Sequence, residues 1–66
     1  MRLLERYEKE DQFLDLFELS PNDYMVTIWT DNRDTFNKHH SLYFQYKEIA
    51  TMYIKHNGWK KQELGD

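Results

Sequence analysis

No cysteine stands anywhere in this 66-residue chain, so neither a disulfide nor a thiolate-held metal braces its fold. Burial alone must hold it together, and at this size a core rarely supplies more than about 3–5 kcal/mol. Against that small core the chain sets four Phe, five Tyr and two Trp. Burying one aromatic side chain takes ~150–250 Å² out of water, and small domains bury a smaller share of their surface than large ones. Some rings are therefore expected at a protein–protein interface, where Tyr, Trp and Phe are enriched. A second copy of the chain is the brace that remains. The expectation is a single domain over residues 1–66, homodimeric, that works by binding.

The local pattern predicts an α+β fold, a small antiparallel sheet with one or two packed helices. In residues 2–19, Leu3, Leu4, Tyr7, Leu14 and Phe17 recur near helical spacing, with Glu10 and Asp11 interrupting, and predict a helix that Pro21 ends. A rival reading makes residues 13–19 a strand that turns through Ser20-Pro21-Asn22-Asp23. Residues 24–30 are rich in β-branched and aromatic side chains and carry large apolar groups on both faces, the mark of a strand inside a sheet. Asp31-Asn32-Arg33-Asp34 predicts a turn, and residues 35–40 a weaker returning strand.

Ser41 offers an N-cap for a helix over residues 42–56. Its stripe of Leu42, Tyr46, Ile49 and Tyr53 is expected in the core. Tyr43, Phe44, Met52 and Ile54 are left for a dimer seam or a ligand pocket. Gly58 suits the left-handed position after the helix, and residues 59–64 a short closing strand or tail.

Catalytic and cofactor chemistry find little footing. His39, His40 and His56 lack the fourth partner of a zinc site, and neighbouring histidines on extended backbone point to opposite sides. Residues 31–34 resemble the opening of a calcium loop without its alternating acids, central glycine and closing glutamate. Ser20 and Ser41 sit in no nucleophile-elbow context, and two glycines build no phosphate-cradling loop. No enzyme, metal or cofactor is expected. Met1–Arg6 meets charge after two leucines, and no run nears the ~20 apolar residues of a membrane span, so a soluble, cytoplasmic protein is expected.

Charge is unevenly spread. Residues 1–34 hold nine acids against four bases, residues 35–66 three against five, and between Lys9 and Arg33 no base interrupts the acids. Carboxylates along one side of a small domain present a DNA-like negative field to a protein that grips DNA. Desolvated aromatic anchors would then supply most of the affinity.

The run Tyr24-Met25-Val26-Thr27-Ile28 resembles the first strand of the small uracil-DNA glycosylase inhibitors of Bacillus podophages. An acid-rich turn, His40-Ser41-Leu42, an aromatic helix, Asn57-Gly58 and a closing charged segment follow in similar order, so the likeness covers roughly residues 22–64. It implies a dimeric DNA mimic with acids in place of phosphates and an apolar cavity for the leucine that the glycosylase inserts into DNA. On this chain the implied acids are Asp23, Asp31, Asp34 and Glu48, with Asp15 and Glu18 from the preceding segment. For the family's key aromatic, Tyr43, Phe44 and Ile49 are all candidates near the right place; Met52 joins the partner-binding set from the helix face.

The leading expectation is thus a non-enzymatic, DNA-mimicking inhibitor of a host DNA-binding enzyme, uracil-DNA glycosylase first. One alternative is a phage-type regulatory adaptor that binds a host protein through the aromatic helix face. Another is a small nucleic-acid binder that stacks bases on Trp59 among Lys55, Lys60 and Lys61.

Overall fold

The computed structural model describes residues 1–29 and 39–63. Five strands and one helix follow in the order β1 (Arg2–Lys9), β2 (Gln12–Ser20), β3 (Asp23–Trp29), β4 (His39–Phe44), α1 (Lys47–His56) and β5 (Lys60–Gln62). They form one antiparallel sheet in the order β4-β3-β2-β1-β5. The class is α+β, with a single helix on one face of the sheet.

The helix expected over residues 2–19 is instead the hairpin β1–β2. Its turn is Glu10–Asp11, with Lys9 opposite Gln12 and Glu10 at φ 54, the positive φ that two-residue hairpin loops require. The acids that looked like an interruption of a stripe are the turn itself. The rival strand over residues 13–19 is the one that forms. It turns through Pro21-Asn22, where proline presets the first corner and Asn22 takes φ 65 at the second.

β2 therefore lies at the middle of the sheet, and its alternation sorts the molecule into two faces. Leu14 and Leu16 point to the helix side, beside Ile28 and Val26 of β3 and Tyr7 of β1. With Ala50, Ile54 and Trp59 these residues make the buried core, and Leu4, Tyr24, Phe44 and Tyr53 pack against it. Phe13, Asp15 and Phe17 point the other way, to a face that no described element covers.

Tyr24–Trp29 forms a strand inside the sheet, as expected. Residues 31–34 and 35–38 lie outside the described residues, and the returning strand continues past His40 to Phe44. Ser41 is consequently no N-cap. Ser41, Leu42 and Phe44 pair with Thr27, Val26 and Tyr24, which holds this stretch extended. The helix begins five residues later than expected, after Tyr46 at φ −122, ψ 135. That delay rotates its buried face onto Ala50 and Ile54, so Tyr46 and Ile49 leave the core and Ile54 enters it. Leu42 and Tyr53 are half-buried.

Helix α1 ends as its sequence dictates. Glu48 lies in the first turn and Lys55 and His56 in the last, both favourable to the helix dipole. Gly58 takes φ 78, and its amide donates to the Lys55 carbonyl at 3.2 Å. Among the described residues no helix is long and apolar enough to cross a membrane.

Candidate protein-binding surface

Strand register lays the helix-free face out as rows. One row is apolar: Leu3, Phe17, Met25 and Tyr43 stand opposite one another across β1 to β4. The next is polar: Gln62, Arg6, Asp15, Thr27 and Ser41 run across all five strands. A third carries Phe13 and Trp29 at its centre.

The polar row is tied together rather than solvated. Asp15 is only 2 % exposed; it accepts a hydrogen bond from the Trp29 indole N–H at 3.1 Å and lies 3.4 Å from Arg6 Nε. Thr27 and Ser41 hydroxyls meet at 3.0 Å. A buried carboxylate persists only when paired in this way. At this burial Asp15 does not serve as an exposed phosphate-like charge; the alternation of β2 sets it on the same face as Phe13 and Phe17, bonded to Trp29.

Among the described residues, the other candidate acids do not gather on one side. Glu10 and Asp11 are exposed at the β1–β2 turn, and Asp23 is exposed at the opposite end of the sheet. Glu18, half-buried near Asp23, holds Arg2 at 2.6 Å. Glu48 is exposed on α1. Asp31 and Asp34 lie outside the described residues.

The exposed apolar groups do gather. Beyond Met1, the large hydrophobic side chains left open among the described residues are Tyr43, Tyr46, Ile49 and Met52, at 66, 52, 48 and 53 % exposure. All four fall between the end of β4 and the middle of α1. Tyr43 and Met52 are the two expected at a seam or pocket from the helical stripe, which placed Ile49 in the core and left it to the resemblance alone; Phe44 is half-buried, its ring 5.7 Å from that of Tyr53. Tyr46 was assigned to the core and missed. Its signal was the alternation through Leu42 and Phe44, which extends the strand and leaves Tyr46 at the helix entrance. A shallow groove lined by Lys47, Glu48, Thr51, Met52 and Lys55 runs along the outer helix surface.

Trp59 is no stacking platform for bases. It is buried in the core, and Lys9 Nζ sits 4.9 Å from its ring centre while also donating to the Asn57 carbonyl. The basic cluster of residues 55–61 thus surrounds a structural ring.

On β1 the Tyr7 hydroxyl donates to Glu5 at 2.5 Å, and Lys61 lies 3.2 Å from the same carboxyl group. Burial, then the Glu5 hydrogen bond, pushes the Tyr7 phenol well above its usual range. For Glu5, burial alone would raise the pKa, but Tyr7 and Lys61 together lower it below 4.5. A folded-state pKa below the unfolded one stabilises the fold above the unfolded value, and this is lost as pH falls through the folded value. Unfolding titrations should show stability dropping on acidification below about pH 4.5. Glu5→Gln should flatten that acid limb; an unchanged limb would place its origin elsewhere.

Among the described residues no three His, Asp or Glu side chains stand close enough to hold a metal ion. The chain matches no protein-family model, no curated protein and no solved structure.

Proposed function

We propose that this chain is a non-enzymatic, homodimeric protein that works by binding another protein, and that it inhibits a host DNA-binding enzyme by presenting a DNA-like surface, uracil-DNA glycosylase being the leading target. The observation that carries the binding role is the exposed set Tyr43, Tyr46, Ile49 and Met52. Four large apolar side chains left open within ten residues of a small domain mark an interaction site, and tyrosines are common anchors there.

The proposed negative field draws on Asp23, Glu18 and Glu48 among the described residues; Asp31 and Asp34, the other acids assigned to it, lie outside them. Asp15, enclosed by Arg6 and Trp29, adds nothing to it. The likeness that suggested this target begins at residue 22, whereas residues 1–20 supply β1 and β2, the middle of the sheet.

The adaptor reading is favoured by one specific feature, since Glu48 is the sole acid among residues 43–52, where the exposed apolar groups lie. Inhibition of a bacterial uracil-DNA glycosylase separates the two. Inhibition that DNA competes away and salt weakens supports mimicry. A partner bound with indifference to both supports the adaptor.

A further inference from the structure

The two edges of the sheet are built differently. β5 is three residues long and carries Lys60 and Lys61, the short, lysine-bearing edge that discourages pairing. β4 is six residues long, His-His-Ser-Leu-Tyr-Phe, with no Lys, Arg, Asp, Glu or Pro, and among the described residues no strand pairs with its outer side. Among the described residues one edge is guarded and the other is open.

The exposed apolar residues bracket that open edge from both faces. Tyr43 points to the helix-free face of β4. Above it, α1 packs over β3 and β4. Ile49, Met52 and Tyr53 share one flank of the helix, being three and four positions apart. Tyr53 touches Phe44 of β4, so this flank turns toward the edge.

Tyr46 adds an independent observation. It occupies the N-cap, a position that strongly favours Ser, Thr, Asp or Asn, and its side chain makes no cap hydrogen bond. The helix thus forgoes a stabilising cap at a residue whose aromatic side chain is half-exposed and stands two positions beyond the end of β4.

We infer that the outer edge of β4 pairs antiparallel with β4 of a second copy, joining the two sheets into one of ten strands. This rests on the homodimeric reading above and names its interface. A two-fold axis normal to the sheet keeps both helices on the same face and runs them antiparallel. Ile49 and Met52 then meet their counterparts. The same axis sets Glu48, in the first turn, toward Lys55 and His56, in the last turn of the other helix. Charges complement where the helices meet, and the uncharged strand meets itself without repulsion.

The size is also adequate. Two tyrosines, an isoleucine and a methionine at about half exposure offer on the order of 400 Å² per copy. The six-residue edge adds its own area, bringing the pairing toward the ~800 Å² per partner of specific interfaces.

The test is sedimentation equilibrium on the full chain and its variants, with backbone amide exchange on the wild type. Wild type should be a dimer, with every central β4 amide protected rather than alternate ones. Ile49→Lys, Met52→Lys and Tyr46→Asp should each weaken dimerisation by 100-fold or more with far-UV circular dichroism unchanged. Because Tyr46→Asp supplies a cap, its monomer should melt no lower than wild type. Phe17→Lys, on the helix-free face away from the edge, should remain dimeric.

If Phe17→Lys yields monomers while the helix variants stay dimeric, the copies stack by their open faces. Edge pairing is then wrong and the dimeric reading stands. Alternate unprotected β4 amides in a wild-type dimer would also overturn edge pairing. A wild type that is monomeric at several hundred micromolar would overturn the dimeric reading itself.

Discussion

Leu16→Ala is expected to leave most of the chain unfolded at 25 °C. Leu16 lies on the middle strand with no exposed surface, pairs with Val26 and Glu5, and belongs to a core of eight buried hydrophobic residues. Truncating a fully buried leucine costs about 2–5 kcal/mol through lost burial and the cavity left behind. A core of this size supplies only about 3–5 kcal/mol in all. Ile54→Ala, equally buried on the helix, should behave the same way. Urea titration followed by circular dichroism measures both. A Leu16→Ala midpoint close to that of wild type would mean that β2 does not sit at the centre of the fold.

One residue earlier, on the opposite face, Asp15→Ala should cost about 2–3 kcal/mol by a different route. It removes the acceptor of the Trp29 indole N–H and the anion beside Arg6. The loss stays below that of a fully buried broken pair because the Arg6 side chain is 43 % exposed and can rehydrate. Asp15→Asn retains an acceptor for the indole and should cost about half as much. Because Arg6, Asp15 and Trp29 act together, Arg6→Leu combined with Asp15→Ala should cost less than the sum of the two. Additive losses would show that the polar row is not a connected unit. Asp15→Ala with no loss at all would return Asp15 to the surface and to the mimic's negative field.

These two neighbours explain where the sequence was legible and where it was not. Residues 24–29 declared a strand because β-branched and aromatic side chains crowd them. Residues 2–19 misled because β2 is apolar on both faces. Leu14 and Leu16 serve the core while Phe13 and Phe17 serve the open face, so no clean alternation stands out and a few spacings imitate a helix. The turn was visible only as Glu10-Asp11 breaking the pattern.

Ser41 failed as a cap for a tertiary reason. Its strand is held by Tyr24, Val26 and Thr27, partners that no local pattern around residue 41 reveals. The same holds for Asp15, whose burial depends on register bringing Arg6 and Trp29 beside it, and for Trp59, which sequence context dressed as a stacking ring. Of the expected surface groups, Tyr43 and Met52 were legible because they fall outside the stripe that a small core can absorb, whereas Ile49 lay within that stripe. Tyr46 was lost because its exposure follows from the helix starting at Lys47.

The proposed function requires that this chain act by occupying a partner protein. The most direct measurement is its titration into a bacterial uracil-excision assay at enzyme concentrations far above any plausible dissociation constant. An inhibitor that occupies the enzyme should give a sharp end point at fixed stoichiometry, with activity falling linearly to it. Two chains per enzyme at that point would also fix the inhibitor as a dimer. Full uracil excision in the presence of a large molar excess would contradict the inhibitor role.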